Sequence, residues 1–191
     1  MTARGLPTSK SGSGAQEISS ASPGDNVPDF ALINQDGRPI HIGQYAGQTL
    51  ALTFIYTRCP VPEFCPLMMR NFQALDEALS ADRGLSSRTR LLTVSFDTAY
   101  DTTEVLRSFG RAHVKDRGEG QFARWELATG SEEQVKAIAG FFGLMFWGEA
   151  GRITHSLRTA IIGPDGKVAK VYNDNLWTVE EAVRDIRAVA R

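Results

Sequence analysis

Two uninterrupted apolar runs, LALTFIY (residues 50–56) and LLTVSF (residues 91–96), constrain this chain more than any other feature. Neither alternates apolar with polar residues. Each therefore predicts a strand buried on both faces, not one with a wet side. Capping boxes, in which a small polar residue is followed three positions later by Glu or Gln, predict helix starts downstream. They pair Asp101 with Glu104, Ser131 with Gln134 and Thr178 with Glu181. Another helix is expected after Cys65, where Met68, Phe72, Leu75 and Leu79 recur on one helical face. Buried strands alternating with helices require a sheet covered on both sides.

Two hairpins complete the pattern. PDFALINQDGRPIHI predicts an N-terminal β-hairpin around Asp36-Gly37. TAIIG (residues 159–163) and KVAKVY (residues 167–172) flank a Pro-Asp-Gly turn. ARWEL reads as one more strand. The expected class is α/β, with a mixed central sheet flanked by helices and an N-terminal β-hairpin. A central strand that enters a helix through a cysteine-bearing loop is the layout of the thioredoxin fold, so a thioredoxin-like domain is expected over residues 25–191. Residues 1–24 are small and polar, and read as a flexible leader or linker.

Composition narrows the function. Among 191 residues the formal net charge is −1, which gives no electrostatic reason to expect a nucleic-acid partner. No apolar run approaches the roughly 18 residues needed to cross a bilayer. Two cysteines are too few for a disulfide scaffold in a chain of this size.

Both cysteines, Cys59 and Cys65, sit at one strand–helix junction, and each precedes a proline. Cys65 is expected in the first helical turn, where Pro66 is tolerated. The unpaired N–H groups there stabilise a thiolate, and Arg58 adds positive charge nearby. Both sulfurs are thus expected to be more acidic than a free thiol. That serves disulfide exchange, nucleophilic attack and metal binding alike.

Of the three histidines, His41 lies in the first hairpin and His113 at a helix end. His155 precedes the strand expected to run beside the cysteine strand, so it is the one expected to meet the sulfurs. Two thiolates and an imidazole suit Cu(I), or Cu(II) with an added ligand. A closed structural zinc site wants a fourth protein ligand.

FIYTRCPVPEFCPLM, LLTVSFDTAYDTTEVLRSF, AIAGFFGL and ITHSLRTAIIGPDGKV together resemble the SCO/SenC family, over most of residues 28–191. The resemblance implies a copper metallochaperone, not an enzyme, that helps assemble the dicopper centre of cytochrome c oxidase. It implies Cys59, Cys65 and His155 as copper ligands, with Asp97 a carboxylate beside the site. The implied partners are the copper-bearing oxidase subunit, other copper chaperones and thiol reductants. The implied location is extracytoplasmic, the bacterial periplasm, tethered to the membrane by a segment absent from this sequence. The alternative is a thiol–disulfide oxidoreductase acting on cysteines of the oxidase copper site or of another extracytoplasmic protein. The family's usual motif has three residues between the cysteines, whereas this chain has five. Met68, Met69 and Met145 are expected in the core, and FFGLMFWG (residues 141–148) as core and strand edge. Tyr56, Phe64 and Trp147 are expected to shield the site.

Overall fold

The structure is a computed structural model that describes residues 20–116, 120–149 and 152–190. Residues 1–19 of the expected leader lie outside the described residues. The N-terminal hairpin forms as expected, from β1 (Ala31–Asn34) and β2 (Pro39–His41). Gly37 takes the positive φ of 73° that its turn requires. There follow β3 (Thr49–Ile55), α1 (Cys65–Ala81), α2 (Arg83–Arg88) and β4 (Thr89–Ser95). Then come α3 (Thr103–His113), β5 (Trp125–Thr129) and α4 (Glu132–Phe141). The chain ends in β6 (Phe146–Glu149), β7 (Arg152–His155), β8 (Thr159–Ile162), β9 (Val168–Tyr172) and α5 (Val179–Val189).

The main sheet has the order β2-β1-β5-β4-β3-β8-β9. Strands β3, β4 and β5 are parallel, whereas β8 runs antiparallel to β3 and β1 antiparallel to β5. The sheet is therefore mixed. Every residue of β3 is buried, as its apolar run demands. Successive side chains leave a strand on opposite faces. Thus Thr53 bonds Thr159, whose hydroxyl meets Met68 of α1, while Phe54 packs on Phe142 at the end of α4. Helix α1 buries Met68, Met69, Phe72, Leu75 and Leu79. Each such burial contributes about 1.5–3 kcal/mol. Met145 departs from the expectation and is largely exposed. Among the described residues no helix is long and apolar enough to cross a membrane.

Two sequence expectations change. Ser131–Gln134 and Thr178–Glu181 are capping boxes as expected, but Asp101 does not cap α3. Thr102 does so, accepting from the Val105 N–H at 3.4 Å. Asp101 is fully buried and committed elsewhere. The segment after α4 is also more than a strand edge: β6 and β7 form a separate two-stranded sheet, in which Phe146 faces His155.

Register then places the site. Thr53, near the carboxyl end of β3, pairs with Thr159 at the start of β8. The loop leaving β3 carries Cys59, and the segment entering β8 carries His155. The two meet because their strands are antiparallel neighbours, at the sheet end that favours ligand sites.

Candidate metal centre

Cys65 opens α1 and is 2% exposed, while Cys59 is half-buried in the preceding loop. The His155 Nε2 lies 3.6 Å from the Cys65 sulfur and 4.0 Å from the Cys59 sulfur. All three donor atoms fall within 4.8 Å of one another. A turn leads into the first cysteine, Cys59 N–H to the Tyr56 carbonyl (3.3 Å), and a second, Phe64 N–H to the Val61 carbonyl (3.1 Å), folds the five intervening residues. Side chains hold the loop from outside. Asn175 donates to the Glu63 carbonyl at 2.9 Å and Arg70 to the Pro62 carbonyl at 3.2 Å. The extra length is therefore folded in, not slack.

The His155 ring is fixed at both nitrogens. Its Nδ1 lies 2.8 Å from the Ser156 carbonyl, an acceptor only, so Nδ1 carries the proton. The Nε2 lone pair is left facing the sulfurs, the arrangement that orients a metal-binding histidine. Phe96, Phe64 and Tyr56 surround this ring at centroid distances of 4.9, 5.3 and 5.6 Å. Two of the three expected shielding residues are thus in place. Trp147 is not: it is 52% exposed, because β6 turns it outward while Phe146 faces in.

The two thiols differ, against the expectation that both are acidic. The Cys59 thiol is pulled down to about 4, chiefly by the neighbouring Cys65 thiol acting as its hydrogen-bond donor. Cys65 is pushed up, first by holding that shared proton next to the Cys59 thiolate, then by burial. The helix N-terminus and one Tyr56 N–H, 3.5 Å from the Cys65 sulfur, do not outweigh the adjacent thiolate and burial. Iodoacetamide at pH 6 is therefore expected to alkylate Cys59 and spare Cys65 in the native protein. Equal labelling of both, seen by peptide mass mapping, would contradict this assignment.

Arg58 does not face the sulfurs either. It pairs with Asp97 at 2.7 Å and lies over the Tyr100 ring at 4.5 Å. Asp97, 4% exposed, therefore reaches the cysteine loop through Arg58. Sequence reasoning missed Asp101 as a site residue. Its carboxyl accepts from the Thr57 N–H (2.9 Å), the Thr57 hydroxyl (2.5 Å) and the Ser95 hydroxyl (2.5 Å). The signal was present: two aspartates four apart, directly after a buried strand, beside a reactive loop.

Comparison with known proteins agrees with this architecture. The sequence pattern of the SCO1/SenC family matches residues 19–191. The SCO1 protein homolog of Bacillus subtilis (strain 168) is 28% identical over 151 residues, covering 77% of this chain and 73% of the relative. BsSco, a member of the Sco family of cytochrome c oxidase assembly proteins in which a disulfide switch was identified, superposes with a TM-score of 0.73 at 25% identity. That match covers 89% of this chain and 96% of BsSco. Arabidopsis thaliana ScoI, solved with copper bound, superposes with a TM-score of 0.72 at 20% identity, over 86% of this chain and 99% of ScoI. With a match that spans nearly its whole length and a fold shared with Sco proteins, the chain belongs to the SCO1/SenC family.

Proposed function

We propose that this protein is a copper metallochaperone that holds one copper ion through Cys59, Cys65 and His155. The observation that carries the reading is the convergence of two sulfurs and one oriented imidazole nitrogen from two separate segments. The donor set fits Cu(I): two soft sulfurs and one neutral nitrogen, with the other ring nitrogen engaged by backbone. A protein of the same fold, Arabidopsis ScoI, holds copper. Copper displaces the Cys65 proton on binding, so affinity falls as the pH drops. Three ligands leave Cu(I) open to an incoming ligand, so the ion leaves by ligand exchange without changing its charge.

Delivery is to the copper-bearing subunit of cytochrome c oxidase, and its dicopper centre is the destination. The family's role in oxidase assembly supports this. The domain works in an extracytoplasmic space, the bacterial periplasm, tethered to the membrane.

His155→Ala tests the ligand set. Cu(I) affinity, read by competition with a chromophoric chelator, is expected to fall about 10–100-fold, the scale on which changes around a metal-binding histidine act. Unchanged affinity would remove His155 from the set.

One observation favours a second reading. An acidic, half-exposed Cys59 beside a protonated Cys65 is the asymmetry of a thiol–disulfide exchange pair. BsSco has a disulfide switch. An oxidoreductase would reduce a partner's disulfide at these cysteines without holding metal. Turnover on a disulfide substrate, with no copper retained, would select it.

A further inference from the structure

Arg58 stands one residue before Cys59, yet its charge is not aimed at the sulfurs. Its guanidinium is held on two sides instead. The Nε–H donates to the buried Asp97 carboxylate at 2.7 Å, and the flat face lies 4.5 Å over the Tyr100 ring. Asp97 fixes Tyr100 as well, because its carbonyl accepts from the Tyr100 N–H at 3.0 Å and from the Asp101 N–H at 2.8 Å. The Asp97 N–H in turn donates to the Ser95 hydroxyl, at the end of β4. One buried residue thus sets both side chains on the rim of the site.

The outer part of the fork stays open. The terminal nitrogens of Arg58 have no partner among the described residues. The Arg58 side chain and Tyr100 are each 48% exposed. Asp97 and Asp101 lie buried behind them, so the guanidinium is the group that faces outward. An arginine held by its Nε and its face presents a rigid pair of N–H donors, the geometry that receives a carboxylate in two parallel bonds. Little side-chain freedom remains to be lost on contact. Arg and Tyr are also the side chains that most often dominate binding energy at protein interfaces. Exposed apolar groups continue the rim: Val61 in the cysteine loop, and Leu176 beside Asn175, which holds that loop at the Glu63 carbonyl.

We propose that Arg58, braced by Asp97 and Tyr100, is a docking anchor for a carboxylate on the protein that accepts the copper. The inference rests on the copper reading above and names the chemistry by which the acceptor is recognised. Cu(I) that leaves by ligand exchange requires the acceptor's own ligands to reach Cys59 and Cys65. A protein brought that close covers the residue beside Cys59. Covering unmet N–H donors is costly unless the partner supplies an acceptor, and an anion is the strongest one. An acidic side chain next to the acceptor's copper ligands completes the fork, whereas a basic one is rejected.

The test compares wild type with Arg58→Gln and Arg58→Lys. Lysine keeps Asp97 paired, so one variant stays folded where glutamine strands that carboxylate, but it lacks the planar fork. Each protein is loaded with Cu(I) and mixed by stopped flow with the soluble copper-bearing domain of an oxidase subunit, and separately with neocuproine, a small uncharged chelator. Both variants should keep the Cu(I) affinity and the rate of release to neocuproine within about twofold. Second-order transfer to the domain should slow about tenfold in Arg58→Gln and lose part of its salt dependence, as for a lost interface charge. In Arg58→Lys it should slow about threefold and keep that salt dependence. Unchanged transfer in both variants would overturn the proposal. So would equal slowing towards the domain and neocuproine, which would make Arg58 a brace for the loop and nothing more. If wild type retains no Cu(I), the copper reading falls and the anchor with it. Retention and transfer by wild type, matched by both variants, sink the anchor alone.

Discussion

Cys65→Ser is expected to abolish tight Cu(I) binding, raising the dissociation constant by on the order of 10³-fold. Closed sites with several protein ligands reach binding energies of about 10–16 kcal/mol, and with the soft thiolates carrying more than the imidazole each sulfur carries about 4–5 kcal/mol. Serine is a stringent replacement here. It fits the volume of a side chain that is 2% exposed and still accepts from the Tyr56 N–H. Its hydroxyl is hard and stays protonated, so it offers Cu(I) little. Cys59→Ser should lose affinity on the same scale, with less effect on folding, because Cys59 is half-exposed. Chelator competition reads the affinity, and denaturant unfolding checks the fold. A loss under about tenfold in either folded variant would mean that the sulfurs are not the primary ligands.

Asp101→Ala should be the most damaging substitution outside the ligand set. The carboxyl ties the cysteine loop to the end of β4 through three hydrogen bonds, two of them to Thr57, two residues before Cys59. Alanine leaves the half-buried Thr57 N–H without its acceptor, and an orphaned buried group costs about 1–3 kcal/mol. With the two hydroxyl bonds lost as well, the expected destabilisation is about 3–5 kcal/mol. Asp101→Asn separates network from volume. One carboxyl oxygen accepts from both Thr57 N and Ser95, and the other meets only the Thr57 hydroxyl. An asparagine amide can donate to that hydroxyl, so the loss should stay within about 1 kcal/mol. Denaturant unfolding gives the stabilities. Loss of amide protection at Thr57 in Asp101→Ala, retained in Asp101→Asn, would locate the effect in the loop. Equal stability of the two variants would show that the network contributes nothing.

The main sheet was legible because its signals are local and strong. Runs with no polar side, such as residues 50–56, have few places to go but a central strand. Cys65 at the start of α1 followed from Pro66 and the apolar spacing after it. His155 near the sulfurs followed once β8 was expected beside β3. What escaped depended on tertiary competition. Asp101 and Glu104 spell a capping box, but three donors from β4 and the cysteine loop claim the aspartate, and the helix starts one residue later on Thr102. Arg58 looked like a charge for the sulfurs until buried Asp97 claimed it. The opposite thiol shifts depend on which sulfur is deeper and which holds the shared proton. The short β6–β7 hairpin has no clear alternation, so Phe146 and Trp147 could not be assigned their faces in advance.

The most direct test is to load the protein with Cu(I) under reducing conditions, measure copper per chain, and record its X-ray absorption spectrum. One copper per chain is expected, with two sulfur neighbours and one imidazole nitrogen, the nitrogen vanishing in His155→Ala. A protein that keeps no copper, or an ion with sulfur neighbours and no imidazole, would contradict it.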